Sequence, residues 1–251
     1  FPFATDTNAS DVGNLTVGRS SVAGQSSTVS GYTSGGTNPP PTTDTIDKFP
    51  FAVDTNATDV GDLTQARRET TGQSSTTSGY TSGGASPSIV TTIDKFPFAV
   101  DGNATDVGDL SQARNEPGGQ SSTVSGYTSG GNAPPFANTI DKFPFATDAN
   151  ATDVGDLTQA RQQPAGQSST VSGYSSGGYA PPFVNTIDKF PFATDSNATN
   201  VGDLTQARSA VAGQSSTISG YTAGGFAPPF SDTIDKFPFA SDANATDVGN
   251  L

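Results

Sequence analysis

The sequence of 251 residues contains no cysteine, histidine, methionine or tryptophan. Without cysteine there is no disulfide and no thiolate metal site. Without histidine the commonest general base is missing, and Ser-His-Asp catalysis is excluded. Basic side chains are scarce too, at 11 Lys and Arg against 24 Asp and Glu. The net charge of -13 repels nucleic-acid phosphates, so we expect no nucleic-acid partner.

Long hydrophobic runs and helix signals are also missing from the sequence. No apolar segment approaches the roughly 20 residues that a membrane-spanning helix needs, so we expect no membrane insertion. The chain has 29 glycines and 18 prolines, which interrupt every stretch of ten residues or so. No apolar stripe at helical spacing is present. We therefore predict an all-β protein built from short strands and turns.

Internal repetition is the strongest feature that is present. Phe-Pro-Phe-Ala recurs with a period of 47 residues, after one first interval of 48, at Phe1, Phe49, Phe96, Phe143, Phe190 and Phe237. We divide the single tandem-repeat domain 1–251 into units 1–48, 49–95, 96–142, 143–189, 190–236 and a partial unit 237–251. A period of 40–50 residues without helices is typical of β-propeller blades.

One repeat unit divides into four predicted strands, at residues 165–168, 171–175, 185–193 and 199–204. In the third of them, both sets of alternating side chains include apolar groups, which predicts a strand covered on both faces. The doublet Gly177-Gly178 at the end of the second strand is predicted to adopt positive φ or to allow a close approach of the backbone to the neighbouring blade. Four strands per repeat predict a β-propeller with four-stranded antiparallel blades. A linear β-repeat fibre is the alternative.

The order of these motifs resembles a known family. Arg208, Gly220-Tyr221, Gly224-Gly225 and the closing 247–251 segment follow one another as in kelch-type blades. The motif Ile-Asp-Lys-Phe-Pro-Phe-Ala, together with Gly-Tyr-Thr-Ser-Gly-Gly, resembles repeats of tail-fibre and appendage proteins of aquatic phages. The chain departs from the kelch pattern in lacking a Trp in the fourth strand. The resemblance implies a non-enzymatic structural protein of a fibre or appendage, on a virion surface or otherwise extracellular.

An oxygen-rich turn recurs between the third and fourth strands of each unit. Asp148, Asn150 and Asp153 have the oxygen ligands that Ca²⁺ prefers, although the glycine and glutamate of an EF-hand loop are missing. The alternative is that Asp and Asn cap a tight turn, and this is the interpretation we favour. We therefore expect no essential cofactor, with Ca²⁺ as the open alternative.

The same turn contains an N-glycosylation sequon in every unit. The acceptor asparagines are Asn8, Asn56, Asn103, Asn150, Asn197 and Asn244. If the producing organism glycosylates, the sequons predict one glycan per blade on a single rim.

A charged set recurs in each blade as well. Asp188, Lys189, Asp203 and Arg208 are predicted to form ion pairs between neighbouring blades. Glycoside hydrolysis by paired carboxylates would need one set unlike the others, and the repeats have no such odd member. We therefore assign no catalytic residue.

Only the loop after each Gly-Gly doublet varies much, at residues 37–43, 85–91, 132–138, 179–185 and 226–232. Its aromatic residues are Phe136, Tyr179, Phe183, Phe226 and Phe230. These rings could stack on sugar rings, which predicts a glycan- or receptor-binding propeller as the alternative to a pure scaffold. Packing of the loops on the blades would explain the rings equally well.

Residues 237–251 repeat residues 1–15 almost letter for letter. Both segments have the sequence of the third and fourth strands, so at least one of them lacks an inner hairpin. A two-stranded ribbon presents an open edge. We predict that one of these segments pairs with another chain or with a further stretch of repeats, which favours self-association into a filament or multimeric appendage.

Overall fold

The computed structural model describes residues 1–38 and 41–251, and the regular structure of these residues is entirely β. Five antiparallel four-stranded sheets form the blades of a five-bladed β-propeller. Blade 1 contains β1 (Ala23–Ser26), β2 (Ser30–Ser34), β3 (Thr45–Pro50) and β4 (Thr58–Asp62). Blade 2 contains β5 (Thr71–Ser74), β6 (Ser78–Ser82), β9 (Thr92–Pro97) and β10 (Thr105–Asp109), with a short hairpin of β7 (Ala85–Ser86) and β8 (Ser88–Ile89).

The other three blades repeat this arrangement without the extra hairpin. Blade 3 contains β11 (Gly118–Ser121), β12 (Ser125–Ser129), β13 (Thr139–Pro144) and β14 (Thr152–Asp156). Blade 4 contains β15 (Ala165–Ser168), β16 (Ser172–Ser176), β17 (Thr186–Pro191) and β18 (Thr199–Asp203). Blade 5 contains β19 (Ala212–Ser215), β20 (Ser219–Ala223), β21 (Thr233–Pro238) and β22 (Thr246–Asn250). The predicted all-β class and four-stranded blades are confirmed, and the linear fibre is not the architecture of this chain.

The first strand of each blade lines the centre of the propeller. Inner strands of successive blades from β1 to β19 lie side by side, and glycine makes their close approach possible. A Cβ atom added at Gly166 in β15 would overlap the backbone of Gly119 in β11. The Gly in this strand is therefore required for contact between blades.

The hydrophobic core consists of layers between neighbouring blades. Between blades 3 and 4, Tyr127, Ile140 and Leu157 pack against Phe190 and Ala198. The Tyr127 ring is tilted against Phe190 at 5.5 Å between centroids and stacks on Phe192 at 4.8 Å. Such aromatic pairs contribute about 0.5–1.5 kcal/mol beyond the burial of their area. The predicted burial of the third strand on both faces is confirmed, because Ile187 on its opposite face is also fully buried.

Each blade also contains one buried ion pair. In blade 4, Arg161 Nη2 lies 3.2 Å from Asp188 Oδ2, and both side chains are inaccessible to solvent. Burial lowers the pKa of Arg161, and the charge of Asp188 opposes that shift. Asp188 also accepts hydrogen bonds from the backbone N and Oγ1 of Thr158. This arrangement fixes the segment that enters the blade to its third strand.

The structure divides the predicted charged set into two kinds of pair. The Arg–Asp pair lies within one blade, and Arg208 pairs with Asp235 of blade 5. The lysine forms the contact between blades: Lys189 Nζ lies 2.9 Å from Asp242 Oδ1 of the next blade, at a solvent-exposed place. The prediction of ion pairs between blades therefore holds for lysine but not for arginine, and among the described residues Asp203 forms no ion pair.

Candidate functional site

The variable loops leave the blades at the glycine doublets. Gly177 and Gly178 have φ of 64° and 114°, as predicted, so a residue with a side chain would be strained there. Immediately after the doublet, Tyr179 forms isolated bridges with Gln162 and with Phe183. The loop is thereby held to the segment that enters the same blade. Residues 39 and 40 of the first variable loop lie outside the described residues.

The five aromatic residues predicted from the loops form one continuous strip across blades 3 to 5. Successive rings meet in T-shaped contacts, with centroid distances of 6.1, 5.2, 5.7 and 5.1 Å, in the order Phe136, Tyr179, Phe183, Phe226 and Phe230. Four of the rings are partly buried, while Phe230 at one end is 81% exposed. We call these five residues the aromatic strip.

The aromatic strip exists because neighbouring loops contribute rings at two equivalent positions. In blades 4 and 5 both positions are aromatic, as in the bridged pair Tyr179 and Phe183. In blade 3 the pair is Asn132 and Phe136. In blade 2 the equivalent pair is Ala85 and Ile89, so the strip ends at blade 3. The aromatic strip is thus an asymmetric surface on an otherwise repetitive molecule.

A polar ring beside the inner strands was not predicted. Five non-glycine residues at equivalent positions have positive φ of 53° to 59°, namely Ser21, Glu69, Glu116, Gln163 and Ala210. Their backbones form a chain in which the N–H of Glu69, Glu116 and Gln163 donates to the carbonyl of the preceding blade's member. The residue type at this position varies between repeats as much as the loops do. This variation could have identified the position from the sequence.

The surroundings of Glu116 in this ring disfavour the ionised form of its carboxyl group. Burial raises its pKa, and a hydrogen bond from Gln163 Nε2 to Glu116 Oε1, at 2.7 Å, acts in the opposite direction. Neighbouring Glu69 accepts a hydrogen bond from Asn115 Nδ2 and pairs with Arg68. The ring therefore carries two acidic, hydrogen-bonded side chains, in blades 2 and 3, beside the inner strands.

We expect Glu116→Gln to raise the melting temperature at pH 7 by up to about 2 °C. A carboxyl whose pKa is raised by folding destabilises the folded state when it is ionised. The gain should therefore vanish as the pH falls below the unfolded pKa of glutamate, about 4.3. Melting curves between pH 3.5 and 8 measure this difference. The converse variant Gln163→Glu, which places a second carboxyl beside Glu116, should lower the melting temperature at pH 7. Equal effects at both ends of the pH range would contradict this assignment.

The three residues considered for Ca²⁺ make separate contacts. Asp148 Oδ1 lies 2.8 Å from Lys95 Nζ of the preceding blade. Asn150 Oδ1 accepts the backbone N–H of Asp109, and Asp153 Oδ1 accepts that of Gly155. Asn150 thus satisfies a backbone group of the preceding blade and Asp153 one within β14, so, contrary to the capping interpretation, neither of these two bonds caps the turn between the third and fourth strands. Across residues 1–38 and 41–251, no three acidic side chains lie close enough together to hold a metal ion.

The sequon asparagines lie on the exposed outer side of the blades. Each of them accepts a backbone hydrogen bond from the neighbouring unit, as Asn197 does from the N–H of Asp156 at 3.1 Å. The asparagine therefore has a structural role whether or not a glycan is attached.

No model of a known protein family matches this chain, and no curated protein sequence matches it. No helix in the described part of the chain has the length and apolar character needed to cross a membrane.

Proposed function

We propose that this protein is a non-enzymatic structural repeat protein of an extracellular or virion-surface fibre or appendage. One observation carries this proposal: in every blade the recurring arginine, lysine and aspartate side chains make equivalent structural contacts. The arginine pairs with a buried aspartate, as Arg161 does with Asp188, and the lysine pairs with the next blade, as Lys142 does with Asp195. A catalytic site would require one blade to depart from this pattern.

The location in an appendage is tested directly by immunogold electron microscopy on the source cells or virions. Antibodies raised against the purified chain should label a surface fibre or appendage, and the labelled structures should contain several copies. Label confined to the cell interior would overturn the proposal. Label on single, dispersed surface molecules would contradict self-association.

The aromatic strip favours a second function, the binding of surface glycans. Its rings lie on three of the five blades, and the scaffolding function alone does not require such an asymmetric surface. Aromatic faces stack on the apolar faces of sugar rings. The net charge of -13 disfavours anionic polysaccharides, so neutral glycans are the class we expect.

We expect Phe230→Ala and Phe183→Ala each to weaken binding to a neutral glycan by about three- to tenfold, since one stacked ring contributes about 0.5–1.5 kcal/mol. A glycan array with the wild-type protein identifies the ligand, and titration of the variants measures the loss. Ile218→Ala is the matched control, because Ile218 is 71% exposed but lies on a hairpin tip outside the aromatic strip. A protein that binds no glycan on the array would exclude this second function.

A further inference from the structure

The outer layer of the molecule closes through six equivalent junctions. At each one, an asparagine Oδ1 accepts a backbone N–H of the neighbouring unit at 3.0 or 3.1 Å. The six donor and acceptor pairs are Asn14 with Asn56, Asp62 with Asn103, Asp109 with Asn150, Asp156 with Asn197, Asp203 with Asn244 and Asn250 with Asn8. Two of the six involve residues 1–15. The outer ring therefore contains six units, although there are five blades.

Residues 1–15 are the sixth outer unit. Asp6 Oδ1 lies 2.9 Å from Lys236 Nζ, which is the pair that joins each other blade to its successor. The rings of Phe1 and Phe3 pack on Tyr221 at 5.4 and 5.0 Å, as the Phe-Pro-Phe rings of blades 2 to 5 do on the tyrosine of the preceding blade. The segment thus stands where the outer half of a further blade would stand.

The inner layer, in contrast, contains four junctions. Each one combines a bond from a glutamine Nε2 to a tyrosine carbonyl of the next blade with a bond from a serine N–H to a serine Oγ. The glutamine–tyrosine pairs are Gln25–Tyr80, Gln73–Tyr127, Gln120–Tyr174 and Gln167–Tyr221. The serine pairs are Ser26–Ser74, Ser74–Ser121, Ser121–Ser168 and Ser168–Ser215. No equivalent bond joins β19 to β1 within the described residues, so a slot lies between them.

The wall of the slot on blade 5 carries groups that are buried in the other blades. Ala212 is exposed, whereas its equivalent Ala165 is 2% exposed against blade 5. Within residues 1–38 and 41–251, Gln214 makes none of the side-chain hydrogen bonds that Gln167 makes across its junction. This wall of the slot therefore carries the glutamine side chain that donates the hydrogen bonds of an inner junction.

The wall on blade 1 presents the opposite side of the same junction. A Cβ added at Gly24 would meet no atom within 4 Å, whereas one added at the equivalent Gly72 would overlap the backbone of Gly24. Phe51 is 54% exposed, and Phe49 is only partly buried, although its equivalent Phe96 is 2% exposed under a tyrosine. A strand, a glutamine and a tyrosine ring would complete these contacts.

We propose that the slot between β19 and β1 is a binding site for one further inner hairpin of this repeat sequence, contributed by polypeptide continuous with Leu251. The other inner junctions define its chemistry: a Gly-Gln-Ser strand and a Ser-Gly-Tyr strand. Leu251 Cδ1 lies against Gly224 as Leu204 Cδ1 lies against Gly177, and beyond Leu204 the chain enters the next inner strand. The hairpin would reach the slot by the same path and would place its tyrosine on Phe49 and Phe51.

The test extends the chain by a second copy of Thr205–Lys236 placed directly after Leu251. We expect the melting temperature to rise by at least about 5 °C, because the segment closes the inner ring and buries the aromatic rings of blade 1. Gly24→Ala in the extended chain should remove most of the rise, because the new Cβ would overlap the backbone of the added strand. Gly18→Ala is the matched control, since a Cβ there also meets open space and the other repeats have alanine at that position, as at Ala160.

Should the extended chain fail to fold, the same segment supplied as a synthetic peptide decides the question. We then expect one peptide to bind per 251-residue chain, and Gly24→Ala to weaken binding at least tenfold. An unchanged melting temperature in the folded extended chain would overturn the proposal. So would a dimer of the 251-residue chain that Gly24→Ala dissociates in sedimentation experiments, because a second copy would then fill the slot.

Discussion

Asp188→Asn is expected to lower the free energy of unfolding by about 3–5 kcal/mol, because it leaves the Arg161 guanidinium charged, buried and without its counterion. The substitution keeps the size of the side chain, so the loss is electrostatic and not a cavity. The backbone N and Oγ1 of Thr158 would also lose a carboxylate acceptor. Urea denaturation at pH 7 measures the change through the shift of its midpoint.

Asp195→Asn is the matched control for that variant. Asp195 pairs with Lys142 at 2.8 Å, but its side chain is 55% exposed. Exposed pairs contribute up to about 1 kcal/mol and are screened by salt. Losses of the same size in the two variants would show that burial of the Arg–Asp pair does not determine its contribution.

Gly166→Ala is expected to cost about 1–3 kcal/mol, because its new Cβ would overlap the backbone of Gly119 and force blades 3 and 4 apart. The φ angle at Gly166 is not in the left-handed region, so the cost measures the approach of the two strands and not local strain. Gly24→Ala is the same substitution at the equivalent position of blade 1, where the space is open, and should leave stability within about 0.5 kcal/mol of the wild type.

Denaturation curves of the two glycine variants measure this difference directly. Comparison of Gly166→Ala with Gly24→Ala separates the steric effect from the change in backbone entropy, which is common to both variants. Equal stabilities would mean that inner strands separate at little cost. The close glycine contact would then not hold the ring together.

The blades were predictable because their signals are local. The 47-residue period, the turn residues and the alternation around Phe190 are present in each repeat, and they place the first strand of blade 4 at its observed bounds, Ala165–Ser168. The end of β16 is displaced by one residue, from 175 to Ser176. Positive φ at Gly177 follows from the turn chemistry of a glycine doublet.

The contacts between blades were not predictable in the same way. Gln167 has the sequence context of an exposed strand residue, yet it is buried and bonded to Tyr221 of the next blade. The angle between neighbouring sheets determines which residue Gln167 contacts, and no local sequence pattern specifies this angle. The aromatic residues of the loops were identified individually from the sequence. Their contacts within the aromatic strip, however, depend on the same angle between neighbouring sheets. For Arg161, the charge pattern predicted an ion pair, but not that its partner lies in the same blade.

The hydrophobic layers also determine the order in which this chain can fold during synthesis. The layer between blades 1 and 2 joins Tyr32 and Ile46 to Phe96 and Ala104, so it cannot assemble until synthesis has reached the fourth strand of blade 2. The packing of each blade is therefore completed only after part of the next blade has been synthesised. The partners of residues 1–15 lie much further along the chain, since Asp6 pairs with Lys236 at a separation of 230 residues. This segment therefore reaches its place in the outer ring only after the third strand of blade 5 has been synthesised.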